Sequence, residues 1–392
     1  MKIAFITGSL EPGRTGVGDY TRLLAAACQR MGHEVRTIAL EDMHTPTNWE
    51  GQQDGIPCLR LPKEAALASR MKMAARFLEL FEPEWISLQF VPYAFHPKGL
   101  FFEFLKEFPK LIGGRRLHIK FHEIWIGEYP GAPLKERLTG WIQKRLVRKL
   151  ILTCRPRIIN YTNAGAKVRL ARAGIAADHL PIFGNIQVAQ EKSNNWLLAK
   201  LTDALPKERL EKDNFLWFGF FGSIHQNWPA RQILERLRMF TTAKNQRPAL
   251  LHAGILGKHR YRWRAICKKY SGDWFLHSLG ELPEDQVSQY LFALDFGLSS
   301  TPWDLVGKSG TIAAMTEHGL PVIINLEGGT PDAPLVIQNE FEPLIQKADE
   351  QLLTKLSTLR KRKPMANNIE KVATLFLQSL QEKGKHAQSL IA

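Results

Sequence analysis

Short apolar runs alternate along this chain with longer amphipathic stretches. The run Lys2–Thr7 ends at Gly8, a glycine-rich segment follows it, and an amphipathic stretch extends from Asp19 to Met31 before the next apolar run begins at His33. Runs with so little polar alternation are typical of parallel strands buried on both faces. The order strand, glycine-rich loop, helix, strand therefore predicts a doubly wound α/β fold.

The alternation occurs twice within the 392 residues, which predicts two Rossmann-like domains that face each other across a cleft. We predict an N-terminal domain at 1–187, a C-terminal domain at 188–365, and a C-terminal helix within 366–392 that crosses back towards the first domain. The linker is expected at 187–214, where periodicity weakens. Further predicted elements lie at 65–81, 85–89, 100–108, 116–121, 134–146, 158–161, 164–173, 215–221, 249–253, 260–270, 274–279, 283–292, 296–299 and 369–382.

Composition and net charge indicate the class of partner that the protein binds. Hydrophobic content of 44% and charged content of 23% are those of a globular protein. The formal net charge of +15 and the pI near 9.7 favour an anionic partner, whether a nucleotide phosphate, a nucleic acid or an acidic membrane face.

The four cysteines, Cys28, Cys58, Cys154 and Cys267, are widely spaced and show neither zinc-site spacing nor a disulfide framework. The N-terminal run is too short for a secretory signal, and no stretch reaches the roughly 18 apolar residues of a membrane span. We therefore expect a cytoplasmic protein, with peripheral contact at the inner face of a membrane as an open alternative.

The most informative local motif is the stretch SSTPWDLVGKSGTIAAMTEHGLPVI, from Ser299 to Ile323. A turn rich in glycine and hydroxyl residues runs into a helix and then into a buried strand, and helix N-termini of this kind bind anions. We predict that Lys308, Ser309, Gly310 and Thr311 hold a diphosphate. The turn Gly222-Ser223, which follows another predicted strand, is expected to line the same cleft.

The chain resembles the two-domain GT-B glycosyltransferases, specifically the retaining type of family 4. The resemblance rests on TGSLEPGRTGVGDYTRLLAAACQRMGHEV near the N-terminus and on LGELPEDQVSQYLFALDFGLSSTPWDLVGKSGTIAAMTEHGLPVI in the second half. The closing Gly319-Leu320-Pro321-Val322 after the donor turn strengthens it. Family members carry a pair of glutamates here that serve the donor sugar and ribose, but the matching positions are Val306 and Ala314.

The resemblance implies roles for several residues. Arg231 would assist the donor diphosphate in place of basic residues that the family carries earlier in the turn. Gly280, Leu282 and Glu317 would contact the nucleoside, with Glu317 standing in for a missing carboxylate. The loop Gly16-Val17-Gly18-Asp19 would face the acceptor, and His122, at the end of a predicted strand, would act beside the transferred sugar together with Lys308 as the catalytic pair.

The segment around 135–157 is basic and has apolar residues interleaved at helical spacing. Such a helix either packs on its own domain or rests on anionic lipid, and both alternatives stay open.

These observations predict a glycosyltransferase that moves a sugar from a nucleotide diphosphate-sugar to a glycan or lipid-linked acceptor, with retention and without a metal or other cofactor. Domain closure would exclude water. The missing glutamate pair motivates an alternative, a catalytically silent relative that binds nucleotide-sugar or acts as a scaffold. Nucleic-acid binding has only the net charge in its favour, and we expect none.

Overall fold

The computed structural model describes residues 1–189, 196–201, 214–330, 333–366 and 368–388. Most of the predicted linker at 187–214 lies outside these residues. The chain forms two compact units. The N-terminal unit contains Met1–Phe183, a short piece around Ala333, and the chain from Ile369 onward, whereas the C-terminal unit contains the rest of Gly184–Asn368.

The strands and helices alternate in both units. The N-terminal unit contains β1 (Lys2–Thr7), α1 (Gly16–Arg30), β2 (Glu34–Asp42), β3 (Trp49–Gln53), β4 (Ile56–Pro62), α2 (Leu67–Glu79), β5 (Trp85–Phe90), α3 (Pro92–Phe95), α4 (Phe102–Ile112), β6 (Arg116–Phe121), α5 (Leu134–Cys154), β7 (Ile158–Tyr161), α6 (Ala164–Arg172) and β8 (Asp178–His179). The C-terminal unit contains α7 (Trp196–Leu201), β9 (Phe215–Phe221), α8 (Ala230–Ala243), β10 (Arg247–Ala253), α9 (Arg260–Tyr270), β11 (Phe275–Gly280), α10 (Glu284–Ala293), β12 (Phe296–Ser299), α11 (Gly310–Glu317), β13 (Val322–Ile324), β14 (Ile345–Lys347) and α12 (Leu352–Thr358). Helix α13 (Asn368–Gln388) begins at the last residue of the C-terminal unit and packs in the N-terminal one.

Each unit is built on one parallel-dominated sheet. The strand orders are β3-β4-β2-β1-β5-β6-β7-β8 and β11-β10-β9-β12-β13-β14, and among the described strands only the β3–β4 pair is antiparallel. The order reverses between β1 and β5 in the first sheet and between β9 and β12 in the second. Ligands of doubly wound sheets bind outside the carboxyl ends of the strands at such reversal points. The predicted α/β class with two doubly wound sheets is confirmed.

The hairpin of β3 and β4 was not predicted. Its two strands meet at Asp54 and Gly55, both with positive φ, and pair antiparallel from Gln53–Ile56 to Trp49–Arg60. β4 contains two prolines, Pro57 and Pro62, and the sequence WEGQQ of β3 is polar, so neither segment carries a clear strand signal. The pairing with β2, rather than local propensity, defines β4 as a strand.

Apolar side chains fill both faces of the C-terminal sheet. One cluster includes Trp217, Tyr290 and Met315, and the other includes Phe218, Trp228 and Trp263. In the N-terminal unit, α1 and α13 pack on one face of the sheet through residues such as Leu24, Phe376 and Leu380. Among the residues that the structure describes, no helix is long and apolar enough to cross a membrane.

Candidate functional site

The glycine turn after β9 and the start of α11 lie side by side at the reversal point of the C-terminal sheet. Gly222 follows β9 with φ of +87°, a conformation that strains any residue with a side chain. A Cβ added to Gly222 would stand 3.2 Å from Thr311 Cγ2. The fold therefore brings together the two turns that the sequence analysis expected to meet.

Hydroxyl groups organise the start of α11. Ser309 is the N-cap residue, and its Oγ accepts from the amide of Ile312 at 3.4 Å. The same oxygen lies 3.1 Å from Thr311 Oγ1 and accepts from Thr301 Oγ1 at 3.2 Å. Ser309, Gly310 and Thr311 are half-buried, so the donors at the positive end of the helix dipole stay accessible.

A second hydrogen bond ties the β9 turn to the end of β12. The amide of His225 donates to Ser300 Oγ at 2.8 Å, and Ser300 directly follows β12. Lys308 ends the 3₁₀ helix Trp303–Lys308 and is half-buried beside Ser309. Ser223, by contrast, is exposed. The carboxyl ends of β9 and β12 thus support one polar turn cluster, with Lys308 as its adjacent cation.

Asp304 is a residue of this turn that the sequence analysis missed. It is 3% exposed, and its Oδ2 accepts from the amide of Thr330 at 3.1 Å. Its Oδ1 is buried and has no hydrogen-bond partner among the described residues. A buried carboxylate oxygen without a donor is costly, and this one packs against Gly328, where an added Cβ would stand 1.9 Å from it.

The positions at which the resemblance places glutamates are apolar core. Val306 is 3% exposed and Ala314 is fully buried, and both belong to the same hydrophobic cluster. A Cβ on Gly184 would stand 2.7 Å from the Cα of Ala314. These two sites are filled by packing and present no polar group.

Glu317 lies in the interior near the C-terminal end of α11, at 4% exposure. Its Oε1 accepts from the amide of Gly184 at 2.7 Å and from Asn368 Nδ2 at 2.6 Å. Burial raises the pKa of Glu317 to about 7. Since Gly184 is the first residue of the C-terminal unit and Asn368 the last, this carboxyl joins the two points at which the chain enters and leaves the unit. The predicted contact of Glu317 with the nucleoside stays a prediction.

The remaining donor-side residues are dispersed. Gly280 ends β11 with φ of +71°, and its carbonyl accepts from Gly254, while Leu282 is half-buried against the core. Arg231 is exposed in the first turn of α8 and lines a cavity of about 600 Å³ between α8 and α9, together with Arg262 and Lys269. None of Ser309, Gly310 and Thr311 lines that cavity.

In the N-terminal unit, His122 directly follows β6 and is 6% exposed. Its amide donates to the carbonyl of Phe90, and its Nε2 lies 2.9 Å from Gln89 Oε1. The ring of Tyr20 meets the imidazole edge to face at 5.0 Å. The backbone and the ring of His122 are therefore both fixed.

A chain of hydrogen bonds continues from Gln89 through the interior of the sheet. It joins side chains that lie on one face of β5, β6 and β7, since alternate residues of a strand share a face. The bonds run from Gln89 Nε2 to Ser87 Oγ (2.8 Å), from Ser87 Oγ to His118 Nδ1 (2.9 Å), from His118 Nε2 to Asn160 Oδ1 (2.8 Å), and from Asn160 Nδ2 to the carbonyl of Asp178 (3.1 Å).

The donor and the acceptor of each hydrogen bond in this series follow from its last member, the carbonyl of Asp178. A backbone carbonyl only accepts, so Asn160 donates to it and turns its oxygen towards His118, whose proton must then be on Nε2. His118 Nδ1 accepts from Ser87, which accepts from Gln89 Nε2. The Gln89 oxygen is left to accept from His122 Nε2. Burial, together with the nearby Lys120, lowers the pKa of His118 to about 3, so this histidine is neutral.

Lys120 is fully buried on the same face of β6. Its Nζ donates to the hydroxyl of Tyr20 at 2.5 Å and to the carbonyl of Pro181 at 2.9 Å, and it lies 4.1 Å from the centroid of the Tyr20 ring. Burial lowers the pKa of Lys120 well below its ordinary value. Tyr20 thus contacts both the buried amine and His122.

The predicted acceptor-side loop is the first turn of α1, so its prediction as a loop was wrong. Thr15 is the N-cap and accepts from Gly18, which makes the helix begin at Gly16 instead of Asp19. A Cβ on Gly18 would stand 2.6 Å from the carbonyl oxygen of Ser9, whereas Gly16 has open space. Asp19 accepts from the amide of Gly13 and from Arg22, each at 2.9 Å. Val17 is half-buried and Gly16 exposed in the same turn.

Comparison with known proteins agrees with this geometry. Residues 15–153 match the family described as "Glycosyl transferase 4-like domain". No curated protein sequence matches the chain. The chain is similar in structure to a sucrose-phosphate synthase from Thermosynechococcus elongatus, with 14% identity, a TM-score of 0.58, and coverage of 100% of this chain and 99% of the other.

Two further structures are similar along their whole length. The catalytic domain of starch synthase IV from Arabidopsis thaliana, bound to ADP and acarbose, has 12% identity, a TM-score of 0.59, and coverage of 98% and 99% of the two chains. HepE from Anabaena, in complex with UDP and glucose, has 15% identity, a TM-score of 0.52, and complete coverage of both chains. The resemblance to GT-B, family 4-like glycosyltransferases is confirmed, and the fold is that of GT-B enzymes.

Proposed function

We propose that this protein is a glycosyltransferase that moves a sugar, of hexose type, from a nucleotide diphosphate-sugar to an acceptor. The C-terminal unit would bind the donor, and the N-terminal unit would bind a glycan or a lipid-linked sugar as the acceptor. Transfer would proceed with retention and without a metal, in a cytoplasmic setting. Among the described residues no cluster of three or more His, Cys, Asp or Glu side chains is arranged to hold a metal ion.

The observation that carries the proposal is the contact between Gly222 and Thr311 at the reversal point of the C-terminal sheet. A left-handed glycine after one strand leaves room for a ligand, and the adjacent helix start offers amides and hydroxyls to an anion. Among the similar structures, HepE is bound to UDP and to UDP-glucose, and starch synthase IV to ADP. The negative charge of a nucleoside diphosphate suits such a helix start.

The residues of the turn cluster divide the work by their chemistry. The amides at the start of α11 and the hydroxyls of Ser309 and Thr311 would bind the diphosphate oxygens, and Lys308 would neutralise the charge that grows on the leaving diphosphate. In the N-terminal unit, Tyr20 and Gln89 would hold His122 in one orientation beside the transferred sugar.

A thermal-shift panel of UDP-, GDP-, ADP- and dTDP-sugars, with and without EDTA, tests the donor assignment. A donor at a hundred times its Kd stabilises the folded chain by about 2.7 kcal/mol, which raises the melting temperature of a protein of this size by several degrees. We expect this for one nucleotide class, unchanged by EDTA. A flat panel across all four classes contradicts the proposal. The anomeric configuration of the product, read by NMR, tests retention.

A second candidate, a silent relative that binds nucleotide-sugar without turnover, is favoured by the apolar packing of Val306 and Ala314. Release of the nucleoside diphosphate that depends on the acceptor, and that is lost in Lys308→Ala, excludes the silent relative. Binding of the donor without release under any acceptor supports it.

A further inference from the structure

Helix α5 presents one face to solvent on which apolar and cationic side chains alternate. Leu134, Leu138, Trp141 and Leu152 are 50% to 79% exposed. Their spacing of 4, 3 and 11 residues returns to the same side of a helix, which turns once every 3.6 residues. Arg145 and Arg148 lie on this same side between Trp141 and Leu152 and are exposed as well.

The opposite face fixes the helix to its own unit. Gly140, Gln143, Leu146, Val147 and Leu150 are buried. Gln143 Nε2 donates to the carbonyl of Lys98 at 2.9 Å, and its Oε1 accepts from the amide of Ile126 at 3.1 Å. Packing on the domain, which was one of the two alternatives for this segment, therefore accounts for the buried face and leaves the exposed face without an explanation.

The exposed face is cationic, and in the part of the chain that the structure describes no carboxylate forms an ion pair with Arg145 or Arg148. The only acidic residue of α5 is Glu136, whose carboxylate accepts from the hydroxyl of Tyr129 at 2.7 Å. The cations Arg137 and Lys149 flank the apolar stripe and are exposed. The guanidinium of Arg145 lies 3.5 Å from the centroid of the Trp141 ring. Cations therefore surround the apolar stripe, and the carboxylate is engaged elsewhere.

We propose that this face of α5 rests on the surface of an anionic lipid bilayer, with Leu138 and Trp141 among the acyl chains and the arginines at the headgroups. From Leu134 to Leu152 the stripe measures about 27 Å along the helix axis, at 1.5 Å per residue. Trp and Leu flanked by Arg and Lys suit the boundary between headgroups and hydrocarbon. A nucleic acid would use the cations but leave the three leucines in water, so the lipid surface accounts for more of the face.

Sedimentation of the full chain with sucrose-loaded vesicles tests the proposal. We expect binding to vesicles of phosphatidylcholine with 30% phosphatidylglycerol and weak or no binding to pure phosphatidylcholine. Two variants separate the contributions, L138S/W141S for the apolar stripe and R145E/R148E for the charge, and each should weaken partitioning by about tenfold or more.

Matched controls lie on the exposed surface of the C-terminal unit. Met239→Ser removes an apolar side chain that is 63% exposed on α8, and R264E/K268E reverses two exposed charges on α9. Both should bind vesicles as the wild type does. Because all the changed side chains are exposed, melting temperatures should stay within a few degrees, and this is measured first.

Three outcomes overturn the proposal. The first is equal loss in the α5 variants and the controls, which would make the binding a matter of net charge alone. The second is no vesicle binding together with dimers that L138S/W141S dissociates, which would assign the face to a second copy of the chain. The third is tight binding of RNA that R145E/R148E abolishes while vesicle binding is absent. None of these results bears on the donor site, since α5 contributes no residue to it.

Discussion

The two regions that carry the candidate chemistry are built in opposite ways. In the N-terminal unit, His122, Gln89 and His118 lie in the interior and belong to one series of hydrogen bonds across three strands. Lys120 is buried beside them and donates to Tyr20 and to the carbonyl of Pro181. In the C-terminal unit, Ser309, Gly310 and Thr311 form a half-buried turn at the start of α11. The first region is a buried polar core and the second a partly exposed polar turn.

This difference indicates a division of labour. An accessible helix start binds an anion that arrives and departs with each reaction, and it needs little more than amides, hydroxyls and one cation. Burying polar side chains costs desolvation free energy, but a fully hydrogen-bonded series of them holds each group in one orientation. The buried chain fixes His122 in the tautomer with its proton on Nε2, and this orientation is what the N-terminal unit contributes.

Replacement of Gly222 by valine should separate the two regions most clearly, because it should prevent ligand binding at the turn and leave the polar core of the N-terminal unit intact. The left-handed backbone at φ +87° opposes a β-branched residue, and the new Cβ would press on Thr311. We expect the affinity for the accepted nucleotide to fall by at least about tenfold, or 1.4 kcal/mol. The measurement is calorimetric titration.

Gly272→Ala is the matched control, because a Cβ there meets no atom within 4 Å. Its affinity should equal that of the wild type. If G222V binds nucleotide as tightly as G272A does, the ligand does not occupy the turn after β9.

Lys120→Met tests the polar core of the N-terminal unit through the pH dependence of stability. The buried amine has a lowered pKa, so over a range of pH the folded chain lacks a proton that the unfolded chain binds, and wild-type stability rises with pH. Relative to K120M, the wild type should gain up to about 1.4 kcal/mol per pH unit across that range. Urea denaturation at pH 7 and pH 9 measures the difference.

Lys110→Met is the control, since this side chain is 65% exposed. The stability difference between wild type and K110M should change little over the same interval. Parallel curves for K120M and K110M would show that Lys120 keeps an ordinary pKa.

Glu317→Gln gives a smaller effect of the opposite sign in the C-terminal unit. Burial raises the pKa of Glu317 from an ordinary value of 4.5 to about 7, so between these values the folded chain holds a proton that the unfolded chain has released. Stability of the wild type relative to E317Q should therefore fall as pH rises from about 5 to about 7. Thermal melts at matched pH values check the sign, and a rising difference contradicts it.

The sequence predicted the regular elements well because their signals are local. The strands Arg116–Phe121, Phe215–Phe221 and Phe296–Ser299 were predicted to the residue, since buried parallel strands carry continuous apolar runs. Glycine and hydroxyl spacing likewise located the turn at which α11 begins, and its binding of the donor stays a prediction. The hairpin of β3 and β4 was not predicted because its hydrogen-bonded pairing at the edge of the sheet defines these strands. Their hydrophobic pattern does not.

The buried core of the N-terminal unit was beyond sequence reasoning. Ser87 lies on β5 whereas His118 and Lys120 lie on β6, and nothing local distinguishes a polar residue that joins a buried series of hydrogen bonds from one that faces solvent. The register of β5 with β6, which pairs Ser87 with His118, brings them together. A lysine and a histidine two residues apart within an apolar strand were the available signal.

One titration tests the central claim, that the donor diphosphate binds at the start of α11. Titrating the accepted nucleoside diphosphate into wild type, Lys308→Ala and Arg231→Ala compares a cation beside Ser309 with a cation that lines the cavity between α8 and α9. Loss of a charge-assisted contact costs about 1.5–3 kcal/mol, so K308A should bind roughly 10- to 100-fold more weakly. R231A should bind within about twofold of the wild type. An unchanged Kd for K308A, or a larger loss for R231A, would contradict the account.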